Sequence, residues 1–171
     1  VYTGTRADHK RALCDEDMKK VFTRLPSSSA IPLAVRRAQD MFVLMFLLRG
    51  LPFVDLAYLR KSDLRDNVIT YRRRKTGRPL SVTLTPEALE LLKKYMNRDS
   101  HSPYLFSLLK SGEGTKEAYR EYQLALRSFN QQLTLLGEVL GLNDKLSSYT
   151  ARHTWATTAY YCEIHPGIIS E

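Results

Sequence analysis

Apolar positions recur at helical spacing through most of the chain and at strand spacing in one short stretch. Residues 15–25 (DEDMKKVFTRL) predict a helix, with Asp15, Glu16 and Asp17 in a first turn whose dipole favours negative charge. Pro26 and the serines at 27–29 stop it. Residues 32–49 (PLAVRRAQDMFVLMFLLR) predict a longer helix. Pro32 suits its first turn, and its second half is apolar all round, as a helix through the core requires. Gly50 fits the residue just past its end, and Pro52 prevents continuation. A short helix should follow over 52–59.

The period then changes. Residues 68–71 (VITY) and 80–84 (LSVTL) are β-rich runs flanking Lys75-Thr76-Gly77-Arg78-Pro79, which predicts a hairpin with a basic tip. Thr85-Pro86-Glu87 supplies an N-cap, a proline at the first helical position and an acid in the first turn, opening a helix that runs to about Tyr95. Residues 97–114 read as loop, with a short extended piece at 104–107. A long helix is predicted over 115–140, and Ser147 or Ser148 caps another over about 149–162. His165-Pro166-Gly167 opens a further element. Residues 1–12 are polar and basic without an apolar period and read as a linker or arm, leaving one domain over 13–171. The predicted fold class is mainly α with a small antiparallel β-sheet, an α+β domain.

Composition narrows the function classes. With 171 residues, 43% hydrophobic and 26% charged, the chain has the ordinary globular mix. Its longest purely apolar run, 41–48, is eight residues, far below the ~18 a membrane span needs. No secretory signal opens the chain. Cys14 and Cys162 are far apart in sequence and form neither a disulfide framework nor a zinc site, which fits a reducing compartment. The basic excess is the unusual feature: 26 Lys+Arg against 18 Asp+Glu give +8. Residues 60–78 hold eight basic residues and two acids, so six of those net charges sit on and beside the predicted hairpin. A local surplus of that kind points to a polyanion, most often nucleic acid.

The most informative stretch is Tyr149-Thr150-Ala151-Arg152-His153-Thr154-Trp155-Ala156-Thr157. It resembles the HxxRH-T-[FW]-A-T box of the tyrosine site-specific recombinases, or phage integrases. Upstream, Phe46-Leu47-Leu48-Arg49-Gly50-Leu51, Asp55-Leu56, Leu59 and Asp63 resemble the family's first-arginine box, in wording most like integrases of Bacteroides-type bacteria. Arg74-Lys75-Thr76-Gly77 resembles the family's hairpin lysine motif. The three motifs stand in family order across 13–171.

The resemblance implies strand cleavage by a tyrosine hydroxyl, a 3′-phosphotyrosyl intermediate and rejoining by a 5′-hydroxyl, without metal or cofactor. Arginines suit its doubly negative transition state because they are planar, always charged and bidentate. By resemblance Arg152 is the second catalytic arginine and Lys75 the general acid on the leaving 5′-oxygen. The family's first arginine would stand where this chain has Pro52. Arg49 lies three residues earlier, on the same face if the helix persists through the turn. Tyr149 occupies the histidine position of the box. A phenol can donate a hydrogen bond to phosphate there, but with an ordinary pKa of ~10 it is a poor proton donor near neutrality. Arg60, Lys61, Arg72, Arg73, Arg74, Thr76 and Arg78 are candidate DNA contacts. Asp55, His153 and Trp155 are candidate supports, with Trp155 expected in the core.

Tyr160 and Tyr161 follow Arg152 too closely to be the family nucleophile, which comes several dozen residues later. The sequence ends at Glu171, as the family's I-S-E-x-L-G-H box opens. The third-box histidine and the nucleophile are therefore expected outside these residues, and the chain alone should bind DNA without cutting it. The partners implied are double-stranded DNA and, for the whole enzyme, three further protomers in a tetramer. The chain alone should be monomeric. No membrane is implied, and the compartment is the bacterial cytoplasm, at the nucleoid when DNA-bound. Pro52 and Tyr149 leave open a non-catalytic DNA-binding or regulatory module on the same fold. An RNA-binding basic helical domain would explain the RRRK run but not Arg152-His153-Thr154-Trp155.

Overall fold

The computed structural model describes residues 12–26 and 30–162. The predicted arm at 1–11, the serines at 27–29 and the element expected from His165 lie outside the described residues. The described elements are α1 (Asp15–Phe22), α2 (Leu33–Leu47), α3 (Phe53–Tyr58), a 3₁₀ turn (Lys61–Asp63), β1 (Leu64–Arg65), β2 (Val68–Arg72), β3 (Pro79–Thr83), α4 (Pro86–Tyr95), α5 (Lys116–Leu140) and α6 (Ser148–Tyr161).

The apolar stretch of α2 forms the centre of the core. Val35, Ala38, Met41, Phe42, Leu44 and Met45 are buried, and α2 packs on α1, α4, α5 and α6. Phe53 at the head of α3 stacks on Phe129 of α5, with ring centroids 4.8 Å apart. Helix α1 ends three residues before the predicted boundary. Gln39, buried in α2, donates from Nε2 to the carbonyls of Val21 (2.8 Å) and Thr23 (3.0 Å), satisfying acceptors at the end of α1.

The sheet is antiparallel with strand order β1-β2-β3, registered at Leu64↔Ile69, Val68↔Thr83 and Arg72↔Pro79. Strand β1 is an addition to the predicted hairpin. Asp66 and Asn67, both at positive φ (48° and 62°), make the tight β1–β2 turn, a geometry that suits short polar side chains. Thr85 caps α4 as its sequence predicts, accepting from the Ala88 amide at 3.2 Å, and Thr115 does the same for α5 from Ala118 at 3.1 Å. Helix α6 starts where Ser147 predicts, with the Ser147 amide donating to Thr150 Oγ1 at 3.0 Å.

The extended piece expected at 104–107 is present, and it is part of the core rather than a surface loop. Tyr104, Leu105, Phe106 and Leu109 are fully buried, with isolated bridges Arg60↔Tyr104 and Met96↔Phe106. The Leu105 amide donates to Leu59 O at 2.7 Å. This segment ties the end of α3 to the end of α4. At the other edge, the Leu13 amide donates to Thr154 Oγ1 at 3.0 Å and joins the start of the domain to α6.

Candidate active site

The site begins where α2 ends. The helix does not persist through the turn: Leu48 closes it, and Arg49 and Gly50 both take left-handed backbone, at φ 59° and 67°. The Gly50 amide donates to Phe46 O at 3.2 Å and the Leu51 amide to Met45 O at 3.0 Å, so the chain reverses sharply. The expectation that Arg49 and Pro52 share a helical face is therefore corrected. Left-handed backbone costs a non-glycine residue about 1–2 kcal/mol, and Arg49 carries that strain.

Gly50 is required here for two reasons. Its φ favours glycine, and a Cβ would stand 3.0 Å from Arg152 Cα and 3.2 Å from Trp155 Cβ. The backbone of the turn thus lies directly against α6. Arg152 is half-buried at this contact and donates from Nη1 to Gly50 O at 3.2 Å. Arg49, Arg152, Trp155, Tyr71 and Ser81 line one small cleft. Trp155, expected in the core, is half-buried on this wall instead.

The hairpin approaches from the other side. Asp55 of α3, only 3% exposed, accepts the Arg74 amide on Oδ1 at 3.0 Å and so anchors the hairpin base. Arg73 is half-buried with its Nε out of solvent, whereas Arg72, Arg74, Lys75 and Arg78 are exposed. Arg73 and Arg152 both act electrostatically on Asp55 and on each other. Burial pushes the Asp55 carboxyl above the ordinary carboxylate value, although the Arg74 amide and the Arg73, Arg74 and Arg152 charges pull the other way. Burial, and then Asp55, raise the Tyr71 phenol far above its usual range. Burial, followed by the nearby Arg73 charge, lowers Arg152, which stays charged at any physiological pH. Two guanidinium groups around one carboxylate leave a positive surplus in a partly dry place, an arrangement that an incoming anion would relieve.

The raised Asp55 pKa gives a pH prediction. The folded state binds this proton more tightly than the unfolded chain does. Asp55 thus lowers stability at neutral pH, and this loss is relieved as pH falls through its folded pKa towards the ordinary carboxylate range. In urea titrations the parent chain should gain stability relative to Asp55→Asn between pH 7 and pH 4. A parent chain that loses stability relative to Asp55→Asn towards acid would refute this sign.

The remaining candidates are placed as follows. Lys75, Thr76 and Arg78 are exposed at the tip, where the Arg73 amide donates to Arg78 O at 2.8 Å and the Gly77 amide to Arg73 O at 2.7 Å. Arg72 braces the tip from Nη1 to Gly77 O at 3.1 Å. Lys61 donates to Asp99 O. Arg60 and Arg74 both pair with Glu113, and the Arg74 guanidinium lies over the Tyr58 ring at 3.7 Å. Tyr149 is 71% exposed at the start of α6, with its ring 6.4 Å from that of half-buried His153. Tyr160 and Tyr161 are exposed on the last turn. Sequence reasoning missed Tyr71 and Glu113 as site residues, and it held Arg73 as a DNA contact and, with Arg72 and Arg74, as an alternative to Arg49 for the first arginine. The one local sign for Tyr71 was its place in a β-rich run. Among the described residues, no group of three or more His, Cys, Asp or Glu converges as a metal site would require.

A model of the phage integrase family matches residues 12–167. The chain belongs to the phage integrase family. Solved structures with the same fold include the XerA recombinase, with a TM-score of 0.61 and 20% identity over 93% of this chain and 54% of that one. Another is a lambda integrase dimer bound to a COC′ core site, with a TM-score of 0.54 and 17% identity over 92% of this chain and 43% of that one. At such identities the likeness is one of fold, and the chain spans about half the length of these relatives. A comparison with curated protein sequences finds no match. The six helices and small antiparallel sheet are thus the tyrosine recombinase catalytic fold. Among the described residues, no helix is long and apolar enough to cross a membrane.

Proposed function

We propose that this domain cuts and rejoins duplex DNA in site-specific recombination, with Arg152 holding the scissile phosphate. The supporting observation is the placement of Arg152. The α2 turn holds it against Gly50, in a cleft that Arg49 shares, with Asp55 and Arg73 beside it and the basic hairpin adjoining. Arg152 and Arg49 neutralise the charge that builds on the phosphorus oxygens, with Arg73 close enough to contribute. Tyr149 donates a hydrogen bond to a phosphate oxygen. The attacking phenol passes its proton to solvent water as its oxygen bonds to phosphorus, and the bond from phosphorus to the 5′-oxygen breaks. Lys75, carried by the tip into a DNA groove, gives the leaving oxygen its proton. A 5′-hydroxyl reverses the sequence.

As the family resemblance implies, the nucleophile is a tyrosine several dozen residues after Arg152, outside these 171 residues. The chain alone binds DNA as a monomer, and the whole enzyme works as a tetramer. Lys75→Ala in the complete enzyme should slow cleavage about 10²–10⁴-fold, the usual share of general acid catalysis. A leaving sulfur in place of the 5′-oxygen needs no proton and should restore the rate. Failure of that rescue would remove Lys75 from the acid role.

Pro52 at the first-arginine position, with Arg49 on a strained turn, favours one second reading: a DNA-binding module on the same fold that does no chemistry. A covalent adduct with DNA separates the two. Competition between duplex DNA and RNA at one stated salt concentration tests the polyanion, and a strong preference for RNA would reject both.

A further inference from the structure

We propose that Arg60 and Arg74 form a second phosphate-binding site, for a DNA backbone phosphate, and that Glu113 closes it in the free protein by standing in for that phosphate. This deepens the recombinase reading and rests on it. The two guanidinium groups come from different parts of the chain and converge on the two oxygens of one carboxylate. Arg60 Nη2 lies 2.6 Å from Oε2, and Arg74 Nη1 lies 2.5 Å from Oε1. A phosphodiester offers the same charge and the same pair of free oxygens to such a fork. Arg74 is also held in place without Glu113. The Arg74 guanidinium rests on the Tyr58 ring, and its amide is fixed by Asp55 Oδ1. The cleft around it, lined also by Asp63, Tyr71 and Arg72, adjoins the hairpin that bears Lys75.

Glu113 suits a displaceable occupant. It sits on a loop between Gly112 and Gly114, the second at φ 85°, and its side chain is about one-third exposed. Its hydrogen bonds to Arg74 and Arg60 hold the carboxyl below the usual carboxylate range, so it stays ionised near neutrality. An exposed ion pair contributes little net stability, so a phosphate already held by the rest of the duplex can replace it. Two of the arginines that sequence assigns to DNA are therefore occupied until DNA arrives.

The test measures binding of the chain to a random 30-base-pair duplex by fluorescence anisotropy across salt, with melting temperatures alongside. Glu113→Gln should tighten binding about tenfold at low salt and steepen the log–log salt slope by about 0.9, the value for one more phosphate contact. The gain should vanish in the double variant Glu113→Gln/Arg60→Ala. Unchanged or weaker binding by a folded Glu113→Gln overturns the proposal. So does a gain that persists in the double variant, because net charge would then explain it. If Glu113→Gln does not fold, Glu113→Asp, which shortens the reach to both arginines, should give a smaller gain with the same dependence on Arg60. Failure of the unaltered chain to bind duplex DNA at low salt overturns the recombinase reading as well. Binding that Glu113→Gln leaves unchanged overturns only this site.

Discussion

Arg152→Ala in the complete enzyme is expected to slow strand cleavage about a thousandfold or more, the range for losing a charged group aimed at transition-state charge. The fold should survive. The side chain is half-buried and its one direct bond among the described residues is to Gly50 O, so deletion forfeits about 1 kcal/mol. Removing a positive charge from beside Arg73 offsets part of that loss. DNA affinity should fall far less than the rate, because the hairpin and its neighbours carry most of the basic surplus. Arg152→Lys should fail nearly as badly, since an ammonium cannot hold Gly50 O and present a planar fork to phosphate together. Single-turnover cleavage with binding measured in parallel reads both quantities. Cleavage within a few-fold of the unaltered enzyme would move the phosphate grip away from α6.

Gly50→Ala is expected to lower stability by about 2–5 kcal/mol and to impair cleavage along with it. The left-handed φ of 67° costs a residue with a Cβ about 1–2 kcal/mol. The new methyl would meet Arg152 Cα at 3.0 Å, and overpacking of that kind costs about 1–3 kcal/mol. The obstructing atom is helix backbone, which cannot rotate away, so the turn and α6 must separate. That separation lengthens the bond from Arg152 to Gly50 O and moves the guanidinium. Ala substitution at Gly77, where nothing lies within 4 Å of a Cβ, should show only the backbone penalty. Denaturant unfolding of the two variants measures the difference. Equal losses would mean that the close approach of Gly50 to α6 carries no energy.

The contrast between Gly50 and Gly77 also shows what the sequence could tell. Features signalled within a few residues were legible: the Thr85-Pro86 start of α4, the Thr115 start of α5, the paired runs of the hairpin. The Arg152 box was legible because its residue types stand together in the chain. What sequence reasoning missed depends on distant partners. Helix α1 stops early because Gln39 reaches back to its last carbonyls. The extended piece at 104–107 was legible, but its burial was not, because Arg60 and Met96, which bridge to it, are distant in sequence. Strand β1 is two residues long and is defined by its pairing with β2, so no periodicity could announce it. Arg49 lies on a strained turn because the chain must reverse beneath α6. Glu113 meets Arg74 and Arg60 across separations of 39 and 53 residues, with no local mark of either contact. At the site, the individual arginines were readable, but their arrangement about Asp55 was not.

The most direct test of the account is covalent trapping. The complete enzyme, its Arg152→Ala variant and the 171-residue chain are each incubated with nicked duplexes drawn from the DNA flanking its gene, and protein–DNA adducts are mapped by mass spectrometry. The account predicts a 3′-phosphotyrosyl adduct on a tyrosine outside residues 1–171 in the complete enzyme, and its near-complete loss in Arg152→Ala. It predicts no adduct with the chain alone. An adduct on Tyr149, Tyr160 or Tyr161, or an Arg152→Ala enzyme that cleaves as well as its parent, would contradict it.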